Sequence, residues 1–271
     1  MRRILLVPDS FKGTLSSRQV CEIMAQQLGC FFPEADMVSI PVADGGEGSV
    51  DAFLAAVGGQ RKTLTVTGPF GEPIESFFGI LKDGVTAVVE MAACAGLPLA
   101  EGRLNPEKAT SYGVGELILA AKEAGCKKVI LGLGGSCTND GGVGAASALG
   151  AVFTRADGEA FIPVGGTLGE IAAVNCSPVK KALEGLELTI MCDIDNPLFG
   201  ETGAAYVFAP QKGADASMVE RLDSGLRHLA KVTAQCLGRD FSQLPGAGAA
   251  GGLGFGTAAY CGGKLRMGID V

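Results

Sequence analysis

RILLVPDSFKGTLSSRQVCEIMAQQLG, residues 3–29, reads as strand, loop and helix in succession. After Arg3 the run to Val7 is uniformly apolar, as in a parallel strand covered on both faces. Ser16 and Gln19 have the spacing of a capping box, which predicts a helix from about Ser17 to Leu28. Val20, Met24 and Leu28 fall on one face of it, and Gly29 supplies the stop. The same order follows at once. Met37 to Pro41 is strand-like, and Glu47 to Val57 is helical with Val50, Phe53, Leu54 and Val57 at core spacing. Strand, helix, strand, helix predicts an α/β protein with a parallel sheet and helices on both faces.

The pattern then changes. Lys62 to Thr67 alternates polar and apolar residues, and Ile74 to Leu81 is strand-like. Gly68-Pro69 and Gly71 to Pro73 mark turns, so short antiparallel strands fit here. Beyond residue 85 the β-then-α order resumes. Val85 to Glu90, Lys128 to Leu133 and Leu188 to Cys192 read as strands, Tyr112 to Ala124 and Gly142 to Leu149 as helices. The change of character places a domain boundary near residues 80–85, dividing the chain into 1–82 and 83–271.

Composition narrows the function. With 47% hydrophobic and 19% charged residues in 271, the chain can build a packed core. Lys and Arg number 22 against 29 Asp and Glu, a net charge of −7 that argues against a nucleic-acid partner. There is no Trp, and aromatics are 6%, so base-stacking platforms are not expected. Nine cysteines without a C-x-x-C pair read as reduced thiols of a cytoplasmic protein. The single histidine, His228, excludes zinc sites built on two histidines and argues against a Ser-His-Asp triad. It falls in a helical stretch, Met218 to Leu237, and reads as part of a solvated face. No run of ~20 apolar residues exists, so no membrane span is expected. MRRILLVPDS is too brief for a signal peptide.

The 42 glycines gather where loops should lie. DSFKGTLSS, residues 9–17, and ADGGEG, residues 43–48, each follow a strand and precede a helix. Ligands of open α/β sheets sit at such strand ends, and backbone amides of the following helices favour anions. Lys12 offers a phosphate cation there, Ser10 and Thr14 hydroxyls, and Asp44 and Glu47 oxygen ligands for Mg²⁺. The strongest local signal is GLGGSCTNDGGVGAASALG, residues 132–150. It lacks the G-K-[ST] of a P-loop and the spacing of a dinucleotide fingerprint. Its glycines still let the backbone approach a phosphate, and Ser136, Thr138, Asn139 and Asp140 add polar groups that a bare turn would not need. In CDIDNPLFG, residues 192–200, Asp193 and Asp195 stand two apart at a strand end. One can act as base toward a hydroxyl, or both can serve magnesium. FAPQKGA, residues 208–214, brings Lys212 as a second phosphate cation. PGAGAAGGLGFG, residues 245–256, carries no side-chain chemistry and points to close packing or backbone contact. Cys137 and Cys192 adjoin these loops, but no base partner makes either a nucleophile.

Taken together with EMAACAGL (90–97) and TSYGVGELI (110–118), these eight segments, in order from residue 4 onward, resemble the type I glycerate kinases. The resemblance implies ATP- and Mg²⁺-dependent phosphorylation of D-glycerate, usually to 2-phosphoglycerate. It also implies two three-layer α/β domains with a cleft between them, the first flavodoxin-like and discontinuous, the second inserted into it. On this basis Asp193 is taken as the base and Lys12 as a catalytic cation. Ser10, Gly45, Gly46, Gly135, Ser136, Thr138, Asn139, Asp140, Asn196 and Lys212 are assigned to substrate and phosphate, and Asp44, Glu47 and Asp195 to the metal. Members of the family usually continue into a GEGxxD loop, whereas this sequence ends at GGKLRMGIDV, residues 262–271. Residues 1–80 therefore read as half a domain, expected to be completed by another chain or to be the less stable part. A homo-oligomer, a kinase for another small hydroxy acid, and an inactive or split enzyme are the remaining alternatives.

Overall fold

The computed structural model of the protein describes residues 2–11, 14–43 and 45–271. The first half runs β1 (Arg3–Leu6), α1 (Ser17–Phe31), β2 (Asp36–Ser39), α2 (Ser49–Val57), β3 (Gly59–Thr67), β4 (Pro73–Leu81), β5 (Thr86–Glu90), α3 (Ala92–Ala95), α4 (Tyr112–Glu123) and β6 (Lys128–Gly132). The second half runs α5 (Val143–Ala148), β7 (Val152–Thr154), β8 (Ala160–Phe161), β9 (Ala173–Asn175), α6 (Ser177–Ala182), β10 (Glu187–Met191), α7 (Ala204–Phe208), α8 (Ala216–Leu237), α9 (Ala249–Cys261) and β11 (Lys264–Arg266). The protein is of the α/β class.

The main sheet has six strands in the order β11-β10-β6-β5-β4-β3. β11, β10, β6 and β5 are parallel, while β4 runs antiparallel to both β5 and β3. TAVVE of β5 is buried at every position, the signature of a central parallel strand. Side chains alternate across a strand. On β4, Gly79 leaves space for α2, since a Cβ there would come within 3.0 Å of Val50. Phe78 and Ile80 face the other way, into a core shared with Val114 and Leu117 of α4. The antiparallel strands expected over 62–81 form β3 and β4. The boundary expected at 82/83 falls between two strands of this one sheet, paired Gly79↔Val88 and Ile80↔Ala87.

β1 and β2 form a separate parallel pair. The capping box opens α1: the Ser16 Oγ accepts from the Gln19 N–H, and the Gln19 side chain accepts from the Ser16 N–H. The expectation that β1 is covered on both faces is not met. Leu6 is buried with Val20 and Cys21, but Leu5 is 58% exposed. A two-stranded sheet has no flanking strands, and α1 covers one side of it. Met24, placed on the apolar face of α1, is also exposed for this reason, and Val57, at the last turn of α2, is exposed as well. His228 is not simply solvated: its Nε2 lies 2.7 Å from the Ile171 carbonyl and ties α8 to the segment before β9. All nine cysteines are free. Among the described residues no helix is long and apolar enough to cross a membrane.

Candidate active site

β6 and β10 are neighbours in register, Gly132 beside Met191, so the loops after them leave the sheet together. Ligands of parallel sheets sit at such carboxyl ends. A cleft of about 210 Å³ opens there. Gly134, Gly135 and Ser136 form one wall, Met191, Cys192 and Asp193 another, and Lys212, Ala249 and Ala250 close it. Three segments that the sequence read separately thus meet: GLGGSCTND, CDIDNPLFG and FAPQKGA.

Lys212 is the most unusual group in the cleft. It is only 1% exposed. Its Nζ donates to the Ser136 Oγ at 2.8 Å and the Thr138 carbonyl at 2.7 Å, both neutral acceptors. Burial lowers its pKa to about 8, with Cys137 and Asp140 pulling the other way. A buried ammonium without a paired carboxylate is costly unless an anion joins it. Asp193 is exposed at the cleft, and its Oδ1 accepts from the Gly268 N–H at 2.6 Å. Among the described residues, no donor reaches its second oxygen.

The rest of the glycine loop is structural. Asp140 is fully buried and accepts from the Ser111 N–H and Oγ, at 2.7 and 2.8 Å, and from the N–H groups of Gly142 and Gly144, at 3.0 and 3.3 Å. It thereby caps α5 and holds Ser111, the N-cap of α4. Burial raises its pKa, opposed by those same hydrogen bonds. Thr138 is buried, and its Oγ1 reaches the Ala250 carbonyl at 3.4 Å. Asn139 is buried with neither side-chain polar atom partnered. Thr138, Asn139 and Asp140 do not line the cleft. Asp140 serves the loop and the start of α4, Thr138 the facing segment, and PGAGAAGG explains the tightness. Ala250, Gly251 and Gly252 are left-handed, at φ 53°, 65° and 92°. A Cβ on Gly251 would stand 2.1 Å from the Thr138 carbonyl oxygen. The expected backbone contact of that segment is therefore with the glycine loop of residues 132–150.

ADGGEG also reaches the site through its backbone. The Gly45 carbonyl accepts from the Gly134 N–H at 3.0 Å. A Cβ on Gly132 would lie 2.2 Å from that same carbonyl oxygen, and Gly45 packs on Met191. The helix that follows does not present a free anion seat, which corrects the expectation for this loop. Glu90, at the end of β5, already fills it. Its carboxylate accepts from the Val50 N–H at 3.0 Å and from the Gly48 N–H. Burial pushes its pKa up to about 6 against the pull of those donors. Sequence reasoning assigned Glu90 no role, because its partners lie 40 residues away. The available signals were a single acid ending an apolar strand and its place at the head of EMAACAGL.

The remaining assignments are dispersed. Lys12 and Asp44 lie outside the described residues. Ser10 does not line the cleft, and its N–H donates to the Asp9 carboxylate. Glu47 and Asp195 are exposed and away from the cleft lining. The Asn196 Nδ2 donates to the Thr202 carbonyl at 2.8 Å, closing its own turn. No cluster of three His, Cys, Asp or Glu is present among the described residues. Burial raises the pKa of Cys192, and that of Cys137 to about 11, so neither thiol is activated.

The glycerate kinase family model matches residues 4–271. The chain is 44% identical to a glycerate kinase of Bacillus cereus (strain ATCC 10987 / NRS 248) over 270 residues, 99% of this chain and 71% of that protein. It is equally similar, 44% over 271 residues, to a glycerate 2-kinase of Escherichia coli (strain K12), again 71% of that protein. A crystal structure from Salmonella typhimurium LT2, described as a "putative glycerate kinase 2", superposes with a TM-score of 0.88 at 42% identity, covering 99% of this chain and 72% of that one.

Proposed function

The chain belongs to the glycerate kinase family, and on that premise we propose that it transfers the γ-phosphoryl group of ATP to the 2-hydroxyl of D-glycerate, giving 2-phosphoglycerate and ADP. The observation that carries the reading is Lys212: a buried ammonium, bonded among the described residues to neutral acceptors, in the same cleft as an exposed carboxylate.

Phosphoryl transfer needs positioning and charge neutralisation more than covalent chemistry. Lys212, with the glycine backbone of 134–136 and the Ser136 hydroxyl, holds phosphoryl oxygens. Asp193 takes the proton of the glycerate hydroxyl on the oxygen that Gly268 leaves open. That hydroxyl oxygen bonds to the γ-phosphorus, the bond to the β-bridging oxygen breaks, and ADP leaves. Mg²⁺ fits a site of this kind, because it keeps several waters and takes only one or two carboxylates beside the phosphates. Asp44, Glu47 and Asp195 are the ligands assigned to it; Glu47 and Asp195 are exposed on loops outside the cleft lining, and Mg²⁺ held by these carboxylates would offset phosphate charge. The free cysteines are consistent with a cytoplasmic setting.

The test is product identification by ³¹P and ¹H NMR after incubating the protein with ATP, MgCl₂ and D-glycerate. Formation of 2-phosphoglycerate is expected. 3-Phosphoglycerate would reassign the hydroxyl. Turnover of other small hydroxy acids but not glycerate would replace the substrate, and no phosphorylated product would refute the reading.

A further inference from the structure

Glu90 is buried, and among the described residues no cation forms an ion pair with it. The charged groups that face it are Asp51 on α2, which raises its pKa, and Arg61 on β3, which lowers it. Arg61 is already paired with Asp51 at 3.1 Å. The carboxylate is therefore held by N–H dipoles at the first turn of α2, where a negative charge is favoured. A local cap could have satisfied those donors at less cost. Gly48 stands at that position instead, at φ 89°, with no side chain to offer. Taking the cap from β5 ties the loop to the sheet end where the cleft opens. Glu90 is in register with Gly132. Gly132 and Gly134 touch Gly45 and Gly46, and Gly45 touches Met191. Gly134 and Met191 are cleft walls.

We infer that Glu90 is a positioning residue for phosphoryl transfer: by anchoring the first turn of α2 it sets how residues 45–48 press on Gly132, Gly134 and Met191, and so fixes the shape of the cleft. The inference rests on the kinase reading above. Glu90 touches no reacting atom. It acts through backbone, and where Gly45 and Gly46 meet Gly132 and Gly134 no side chain is present to absorb an error. Small displacements of reacting groups are expensive in rate.

The experiment uses the full chain with Glu90→Gln and Glu90→Asp. Glutamine keeps the shape but turns an amide NH₂ toward a backbone donor, while removing a buried charge. Faster amide exchange over residues 45–50 is expected, with kcat for D-glycerate lowered about tenfold or more, KM changed less, and no fall in the thermal midpoint. A purely structural residue would give the reverse: a lower midpoint, with normal kcat in the folded fraction. Glu90→Asp retains the carboxylate at shorter reach and should recover part of the rate. If Glu90→Gln does not fold, the aspartate variant carries the same comparison. Unchanged exchange over 45–50, with kcat within about twofold of the unsubstituted protein, overturns the proposal. If the unsubstituted protein does not phosphorylate glycerate, the kinase reading fails by itself. The exchange measurement then still decides whether Glu90 holds the loop.

Discussion

When an anion enters the cleft, Lys212 should take up a proton. Its pKa of about 8 follows from burial, with no carboxylate paired to it among the described residues. A phosphate beside it supplies the missing charge and returns the ammonium toward its ordinary value of 10.5. The deprotonated fraction at a pKa of about 8 is about 0.1 at pH 7, about 0.5 at pH 8 and about 0.9 at pH 9. Binding of a non-hydrolysable ATP analogue with Mg²⁺ should therefore draw about that many protons from solution. Isothermal titration calorimetry in buffers of different ionisation enthalpy reads the number directly. Above pH 8 the affinity should fall toward tenfold per pH unit, as the binding form becomes scarce. Lys212→Met should abolish both the proton uptake and this pH dependence. Stability moves the other way. The folded-state pKa lies below the unfolded value, so the native protein loses its proton first, and stability should rise between about pH 8 and 10.5. Proton uptake that is absent at pH 8, or that persists in Lys212→Met, would refute the assignment of Lys212 as the anion's cation.

Three further outcomes are expected. Asp193→Asn should lower kcat by about 10²-fold or more with an unchanged far-UV spectrum, the scale of a lost general base; near-normal turnover would remove it from that role. Asp140→Asn should destabilise the protein by about 3 kcal/mol in urea unfolding, since one amide oxygen cannot serve four buried donors; a cost under about 1 kcal/mol would mean that α4 and α5 do not depend on this cap. Gly251→Ala should prevent folding or lower the melting temperature sharply, because the new methyl would meet the Thr138 carbonyl 2.1 Å away at a left-handed φ.

The fold class was legible because it depends on local patterns. The Ser16–Gln19 cap, the apolar runs of β5, β6 and β10, and the turn residues around β3 and β4 all act within a few positions of themselves. The cleft was legible in outline for the same reason, since a parallel sheet delivers its strand-end loops to one edge. Roles within the loops were harder to read. Ser136 and Asp193 do line the cleft, but Thr138, Asn139 and Asp140 turn inward. Nothing local distinguishes a polar residue that contacts a ligand from one that satisfies backbone. The difference lies in residues 245–252, more than a hundred positions away, whose left-handed turn packs against the loop.

Helix N-termini raise the same issue in electrostatic form. Each leaves unpaired N–H groups and a partial positive charge, so each requires acceptors or an anion. The sequence shows where that requirement arises, not which group meets it. At α1 Ser16 meets it locally, as Asp140 does at α5, and at α2 it is met from a distance, by Glu90. Both carboxylates are buried with raised pKa values, so each is held at an energetic cost by dipoles rather than by a cation. Lys212 is their mirror image, a buried cation held by neutral acceptors. The two acids have backbone donors to spare and need no ligand. Lys212 lines an open cleft and, among the described residues, is bonded to neutral acceptors, and that difference is what makes it, rather than the acids near it, the group to which a phosphate should bind.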